Sequence, residues 1–199
     1  MSTAMPDCVF TIGHSSHPIE HLLDLLEANR VEMVVDTRTY PRSKFAPQFD
    51  SDALVRLLWE QGIRYLHLGK QLGGRPDGER FYDDDGHVLY SLVAGTAAFQ
   101  EGIERLAREI PTCSLALLCS EEDPSVCHRR LLIARVLHER GVAVRHIRGD
   151  GRVETEDELL AQEEAADPQL ALFDYSKDPE WKSIPSVLPK KQRNSSSQL

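Results

Sequence analysis

Four short stretches of this sequence carry side chains capable of acid–base, nucleophilic or anion-binding chemistry. His14 and Ser15 stand in TIGHS, Asp36 and Arg38 in VVDTR, Gly73, Gly74 and Arg75 in QLGGR, and Cys119, Glu121, Cys127, His128 and Arg129 in CSEEDPSVCHR. Carboxyl groups on neighbouring segments can work as acid and base. The candidates for catalysis are therefore His14, Asp36, Cys119 and Glu121. Ser15, Arg38, Gly73, Gly74, Arg75, Cys127, His128 and Arg129 are candidates for binding substrate or an anion. Arg38, Arg75 and Arg129 could clamp a phosphate or carboxylate through paired N–H donors. In the first turn of a helix, Arg129 would add its charge to the amide dipoles there. A buried structural pair with an arginine is the competing role for Asp36, and loop residues such as Ser15 and Asp123 could simply cap helices.

The thiols admit two uses. Beside arginines at a helix N-terminus, Cys119 or Cys127 would be an activated nucleophile. Packing at a strand end also fits Cys119, and fits Cys8 and Cys113 better. The C-x5-R loop of cysteine phosphatases would need arginine at position 125, where Ser125 stands. The C-x7-C-H spacing matches no common zinc pattern, and there is no C-x2-C pair. On one helix, adjacent Cys127 and His128 would point apart. No metal is favoured, and the cofactor is left unknown.

The elements that must position these residues alternate between short apolar runs and amphipathic segments. CVFTIGHS, EMVVDTR, IRYLHLG, SLALLCSE and AVRHI read as strands. Helices are expected after Pro18, from Ser51-Asp52 to Gly62, around residues 97–110, and from Cys127 to Gly141. Residues 69–90, rich in Gly, Asp and Arg, read as a long loop. This order predicts an α/β fold: a doubly wound, mainly parallel five-stranded sheet with helices on both faces. An irregular C-terminal tail follows. Ligands of such sheets bind beyond the carboxyl ends of the strands, where all four candidate stretches fall. Residues 1–152 are expected to form the domain, and residues 153–199 an acidic linker and tail.

A net charge of −9 argues against a surface that coats nucleic acid without specificity, though not against a local basic cleft. Tyr40, Phe45 and Phe49 lie among Arg38, Arg42 and Lys44, a loop suited either to stacking bases beside phosphates or to anchoring itself by its rings. There is no apolar run of about 18 residues and no secretory start, so a cytoplasmic protein with reduced thiols is expected.

The linked stretches TIGHS, VVDTRTYPRSK, GIRYLHLGKQLGG, LLCSEEDPSVCHRRLLIA and VRHI, over roughly residues 9–149, resemble the domain of unknown function 488 family. Here C-S-E stands where that family often has C-A-E. The resemblance implies an α/β domain and marks the same residues, Arg75 apart, as its signature, without naming a chemistry. Farther along, Gln169-Leu170-Ala171-Leu172-Phe173 resembles the pentapeptide by which bacterial proteins bind the sliding clamp. Gln169, Leu170, Leu172 and Phe173 would then be partner-binding residues, with the apolar side chains filling a pocket. The alternative is a tail turn packed back on the domain. Together these readings favour a hydrolase-type enzyme, linked to DNA repair or replication, that acts on a nucleotide, base or phosphate group. An enzyme on a small anionic metabolite and a non-catalytic adaptor for nucleic acid or a repair protein are the alternatives.

Overall fold

The apolar runs become strands because alternate side chains meet a helix layer on each side. In the computed structural model, which describes residues 8–166 and 181–187, five strands run parallel: β1 (Cys8–Gly13), β2 (Met33–Asp36), β3 (Arg64–His67), β4 (Leu115–Cys119) and β5 (Ala143–Ile147). Their order is β3-β2-β4-β1-β5. Central β4 is buried throughout. Its Leu115 and Leu117 join one apolar layer, and Ala116 and Leu118 join the other.

Helices α1 (Ile19–Ala28) and α2 (Ser51–Glu60) cover one face, burying Leu22, Leu25 and Leu26, then Leu54 and Leu58, at helical spacing. The other face is covered by α3 (Gly69–Leu72), α4 (Tyr90–Ala94), α5 (Ala97–Glu109) and α6 (Arg135–Glu139). Helix α5 buries Phe99, Ile103 and Leu106, and Thr96 caps it by accepting the Phe99 amide at 3.2 Å. Truncating one of these buried leucines to alanine would cost about 2–5 kcal/mol. The doubly wound α/β fold read from the sequence is present.

What matters for function is how the chain leaves β2 and β4. These strands are neighbours, yet β2 leads to α2 on one face, and β4 leads to a stretch packed on the other. The loops that follow them line a cavity at the carboxyl edge of the sheet, the place where such folds bind ligands.

The structure corrects the sequence reading in several places. A sixth strand, β6 (Val153–Thr155), pairs antiparallel with β5, and α7 (Glu156–Ala166) follows it. So a strand and a helix stand where an acidic linker was expected. No apolar stripe announces α7, because charge holds it. Buried Arg130 pairs with Glu156 at 3.0 Å and Glu163 at 2.5 Å. Glu156 also meets His146 Nε2 at 2.7 Å, and His146 Nδ1 lies 2.8 Å from the Thr11 hydroxyl. The stretch 69–90 contains α3, a 3-10 turn at Glu79–Phe81 and a bridge between Tyr82 and Val88.

The helix expected from Cys127 starts later. Pro124–Val126 is a 3-10 turn, Cys127 is extended, and a π-helical stretch at Arg129–Ala134 precedes α6. Residues 181–187 return to the core, where Trp181 Nε1 donates to the Leu131 carbonyl at 2.7 Å and Lys182 bridges to Leu89. The clamp-like residues Gln169, Leu170, Leu172 and Phe173 lie outside the described residues. Among the described residues, no helix is long and apolar enough to cross a membrane.

Candidate functional site

The ladder between β1 and β4 continues past the strand ends. The His14 amide donates to the Cys119 carbonyl at 3.0 Å, and the Ser15 amide to Ser120 at 2.9 Å. Gly13 allows this approach, because a Cβ there would overlap the Glu121 carbonyl. The loop that carries Cys119 and Glu121 is thus seated on β1.

Arg129 holds that loop from below. Expected on the wall of an anion pocket, it is instead fully buried, with its guanidinium donating to the carbonyls of Glu121 and Glu122 and to the Thr11 hydroxyl. Its donors are taken up by those two carbonyls and that hydroxyl, so it positions the loop. Glu122 fastens the same loop to the end of β5. It accepts two Arg148 bonds at 3.1 Å and the Gly149 amide at 2.8 Å, and Arg148 holds its carboxyl below the usual range.

His14, Asp36 and Arg38 form a second unit. Asp36 accepts Arg38 Nε at 2.9 Å, Arg38 NH2 at 2.6 Å and the Tyr65 hydroxyl at 2.8 Å. Arg38 NH2 also donates to the Phe49 carbonyl, and NH1 lies 3.1 Å from His14 Nε2. His14 Nδ1 lies 2.7 Å from the Ser15 carbonyl, so Nδ1 carries the proton and Nε2 accepts from Arg38. Burial, with the Arg38 charge beside it, lowers the His14 pKa to about 4. The ring stacks on buried Phe49 at 4.1 Å. His14 and Asp36 were candidates for catalysis, but their polar atoms are occupied by this network. Of the three, Arg38 reaches the cavity described below. Ser15 has φ 49° in the turn after β1, and Gly73 is buried behind Thr39; neither faces the cavity.

The remaining candidates converge. Donor atoms of Cys119, Glu121, Cys127 and His128 all lie within 4.8 Å of one another. Cys119 Sγ donates to Glu121 Oε2 at 2.8 Å, and Cys127 Sγ to the same oxygen at 3.3 Å. His128 Nδ1 is 3.5 Å from Cys119 Sγ and 3.9 Å from Cys127 Sγ. Adjacent Cys127 and His128 were expected to diverge, which holds only on a helix. Cys127 has φ −105° and ψ 139°, and helical geometry begins at His128, so the bend turns both side chains inward. The Cys127 thiol is driven well below its usual pKa. Burial opposes this, but the Cys119 thiol, Arg129 and His128 outweigh it. Burial and the neighbouring Cys127 and Glu121 drive Cys119 the other way.

This cluster floors a cavity of about 430 Å³. One wall comes from the β2–α2 loop, where Arg42, Lys44 and Phe45 are exposed, and Gly74 and Arg75 form another. Tyr40 and Phe45 are 65% and 97% exposed, so they are free to stack, whereas Phe49 is the anchor of that loop. Ser183 and Pro185 close the far side. Sequence reasoning missed them, and it also missed Thr37, Glu122 and Arg148. Single polar residues without a motif carry no signal until the fold brings them together.

A family model for the domain of unknown function DUF488 matches residues 18–136. The chain belongs to the DUF488 family. The match takes in the β2 motif, the glycine pair and the whole cysteine–histidine cluster, and it stops before β5. No curated protein and no solved structure matches the chain. In this DUF488 protein the matched segment supplies the floor of the cavity and the walls from the β2–α2 loop and the glycine pair.

Proposed function

We propose that this DUF488 protein is an enzyme of hydrolase type acting on a phosphate-bearing substrate, a nucleotide or a nucleic-acid end. The observation that carries this reading is the position of two thiols, a carboxyl and an imidazole at the floor of a cavity whose rim is cationic. Among the described residues, no carboxylate pairs with Lys44 or Arg75, so both charges are available to an anion. The volume lies in the range of small-molecule sites, about 300–1,000 Å³. Exposed Tyr40 and Phe45 offer ring faces beside those cations, an arrangement that suits a base attached to a phosphate. Glu121, exposed and at the mouth of the cluster, is placed to move a proton.

The sequence of residues 169–173 supports the link to DNA, since a clamp tether would raise the local concentration of substrate around an otherwise acidic protein. Two measurements test the reading. Release of phosphate, base or nucleoside from a panel of nucleotides and 5′-phosphorylated oligonucleotides should fall at least 100-fold in Glu121→Gln; turnover of none of them would remove the enzyme. Leu172→Ala with Phe173→Ala should abolish clamp capture with the melting temperature unchanged, and equal capture would remove the link to DNA.

A further inference from the structure

Beyond the substrate, the floor of the cavity has the make-up of a metal site. Two sulfurs, an imidazole nitrogen and a carboxylate oxygen are gathered there, a donor set soft enough to select zinc-type ions over magnesium or calcium. The spacing fits. A tetrahedral ion bound at about 2.3 Å from sulfur and about 2.0 Å from nitrogen needs S···N separations of about 3.5 Å. The structure has 3.5 Å and 3.9 Å from His128 Nδ1 to the two sulfurs. Glu121 Oε2 stands at 2.8 Å and 3.3 Å from those sulfurs, slightly closer than ligands of one ion would stand. Being exposed, it can draw back.

The surroundings are also those of a ligand set. His128 Nε2 lies 3.3 Å from the buried Thr37 carbonyl, which fixes its proton on Nε2 and turns the Nδ1 lone pair to the cluster. The Arg129 amide points at Cys127 Sγ from 3.5 Å, as amides do toward metal-bound thiolates. Gly74 lies against the imidazole and holds the ring in place. All four line the cavity; Cys119 and Cys127 are buried, and Glu121 alone of the four is exposed.

We propose that Cys119, Cys127, His128 and Glu121 bind a single zinc-type divalent ion. Cys119, Cys127 and His128 are the fixed ligands, and Glu121 is the ligand that water or a substrate oxygen can replace. A site with three protein ligands and one exchangeable position is the arrangement of catalytic rather than structural zinc. The proposal does not depend on which substrate fills the cavity, and its test involves none.

Full-length protein, purified without metal-affinity resin and without chelator, is analysed for metal, then stripped and titrated with Co²⁺ alone. The expected result is a bound zinc-type ion in the native protein and a strong thiolate-to-cobalt charge-transfer band on titration. Cys119→Ser and Cys127→Ser should each weaken the band, and Cys8→Ser should leave it intact. Glu121→Gln, at an exposed position the fold does not need, should keep the band and shift the ligand-field spectrum. Where the cysteine variants do not fold, Glu121→Gln and His128→Gln decide the matter. Absence of any charge-transfer band, a band of equal strength in the doubly substituted Cys119→Ser/Cys127→Ser protein, or spectra of Glu121→Gln and His128→Gln identical to the parent would overturn the proposal.

Discussion

Gly74 lies so close to the imidazole of His128 that a Cβ there would stand 2.7 Å from Cγ and 2.8 Å from Nδ1. The glycine pair therefore has a steric purpose: it lets the chain before Arg75 cover the His128 ring. Gly74→Ala should push the ring off its position. We expect cobalt affinity to fall roughly 10–100-fold, as it does when groups behind a metal ligand are disturbed. Equal titration curves for Gly74→Ala and parent would show that the ring has room to move.

His14 makes stability depend on pH. Its folded pKa, about 4, lies below the unfolded value of 6.5, so below pH 6.5 the unfolded chain takes up a proton that the folded chain refuses. Stability should therefore fall as pH drops from 6.5 toward 4, by up to about 3 kcal/mol from this group. Buried His146 is lowered as well, by burial, and adds in the same direction. Urea midpoints measured across this range should slope less in His14→Asn than in the parent. Parallel slopes would contradict the assignment.

Arg130 and Glu156 join the π-helical stretch to α7 through a buried pair. Arg130→Met leaves buried Glu156 with His146 as its remaining partner, so it should cost about 3–5 kcal/mol, while Arg130→Met with Glu156→Leu should recover part of it. Thermal melts of the two variants check this. Additive losses would mean that the pair does not hold α7.

Arg129→Met should also destabilise, because the carbonyls of Glu121 and Glu122 lose a charged donor, each such bond contributing about 1.5–3 kcal/mol. Its phosphate affinity, measured where the variant is still folded, should match the parent. A specific loss of anion binding without loss of stability would return Arg129 to the anion site.

How far the sequence reaches can be seen residue by residue. The carboxyl-edge placement of His14, Asp36, Cys119 and Glu121 was legible, because parallel strands with crossover helices put their carboxyl ends together. The clustering of Cys127 with His128 was not, since it depends on one extended residue before a π-helical turn, and the apolar periodicity of LLIARVL reads straight through that point. The destination of Arg129 was hidden for a different reason: an arginine beside a strand-end loop can serve anions or carbonyls equally well, and only Gly13 and Thr11 behind it decide. Helix α7 escaped notice because its anchors are charges supplied by distant residues, and Ser183 and Pro185 because they reach the cavity from the far end of the chain.

The central claim is that this cavity receives a phosphate-bearing ligand between its cationic rim and its reactive floor. Thermal melts of the full-length protein with inorganic phosphate, nucleotides and 5′-phosphorylated oligonucleotides test it most directly, alongside a Lys44→Ala/Arg75→Ala variant. These two residues are exposed, so the variant should melt with the parent in the absence of ligand. A ligand at 100 times its dissociation constant should stabilise the parent by about 2.7 kcal/mol, and the variant should need at least tenfold more ligand for the same shift. If no phosphate-bearing ligand raises the melting temperature of the parent, or if parent and variant respond alike, the cavity is not an anion site and the account fails.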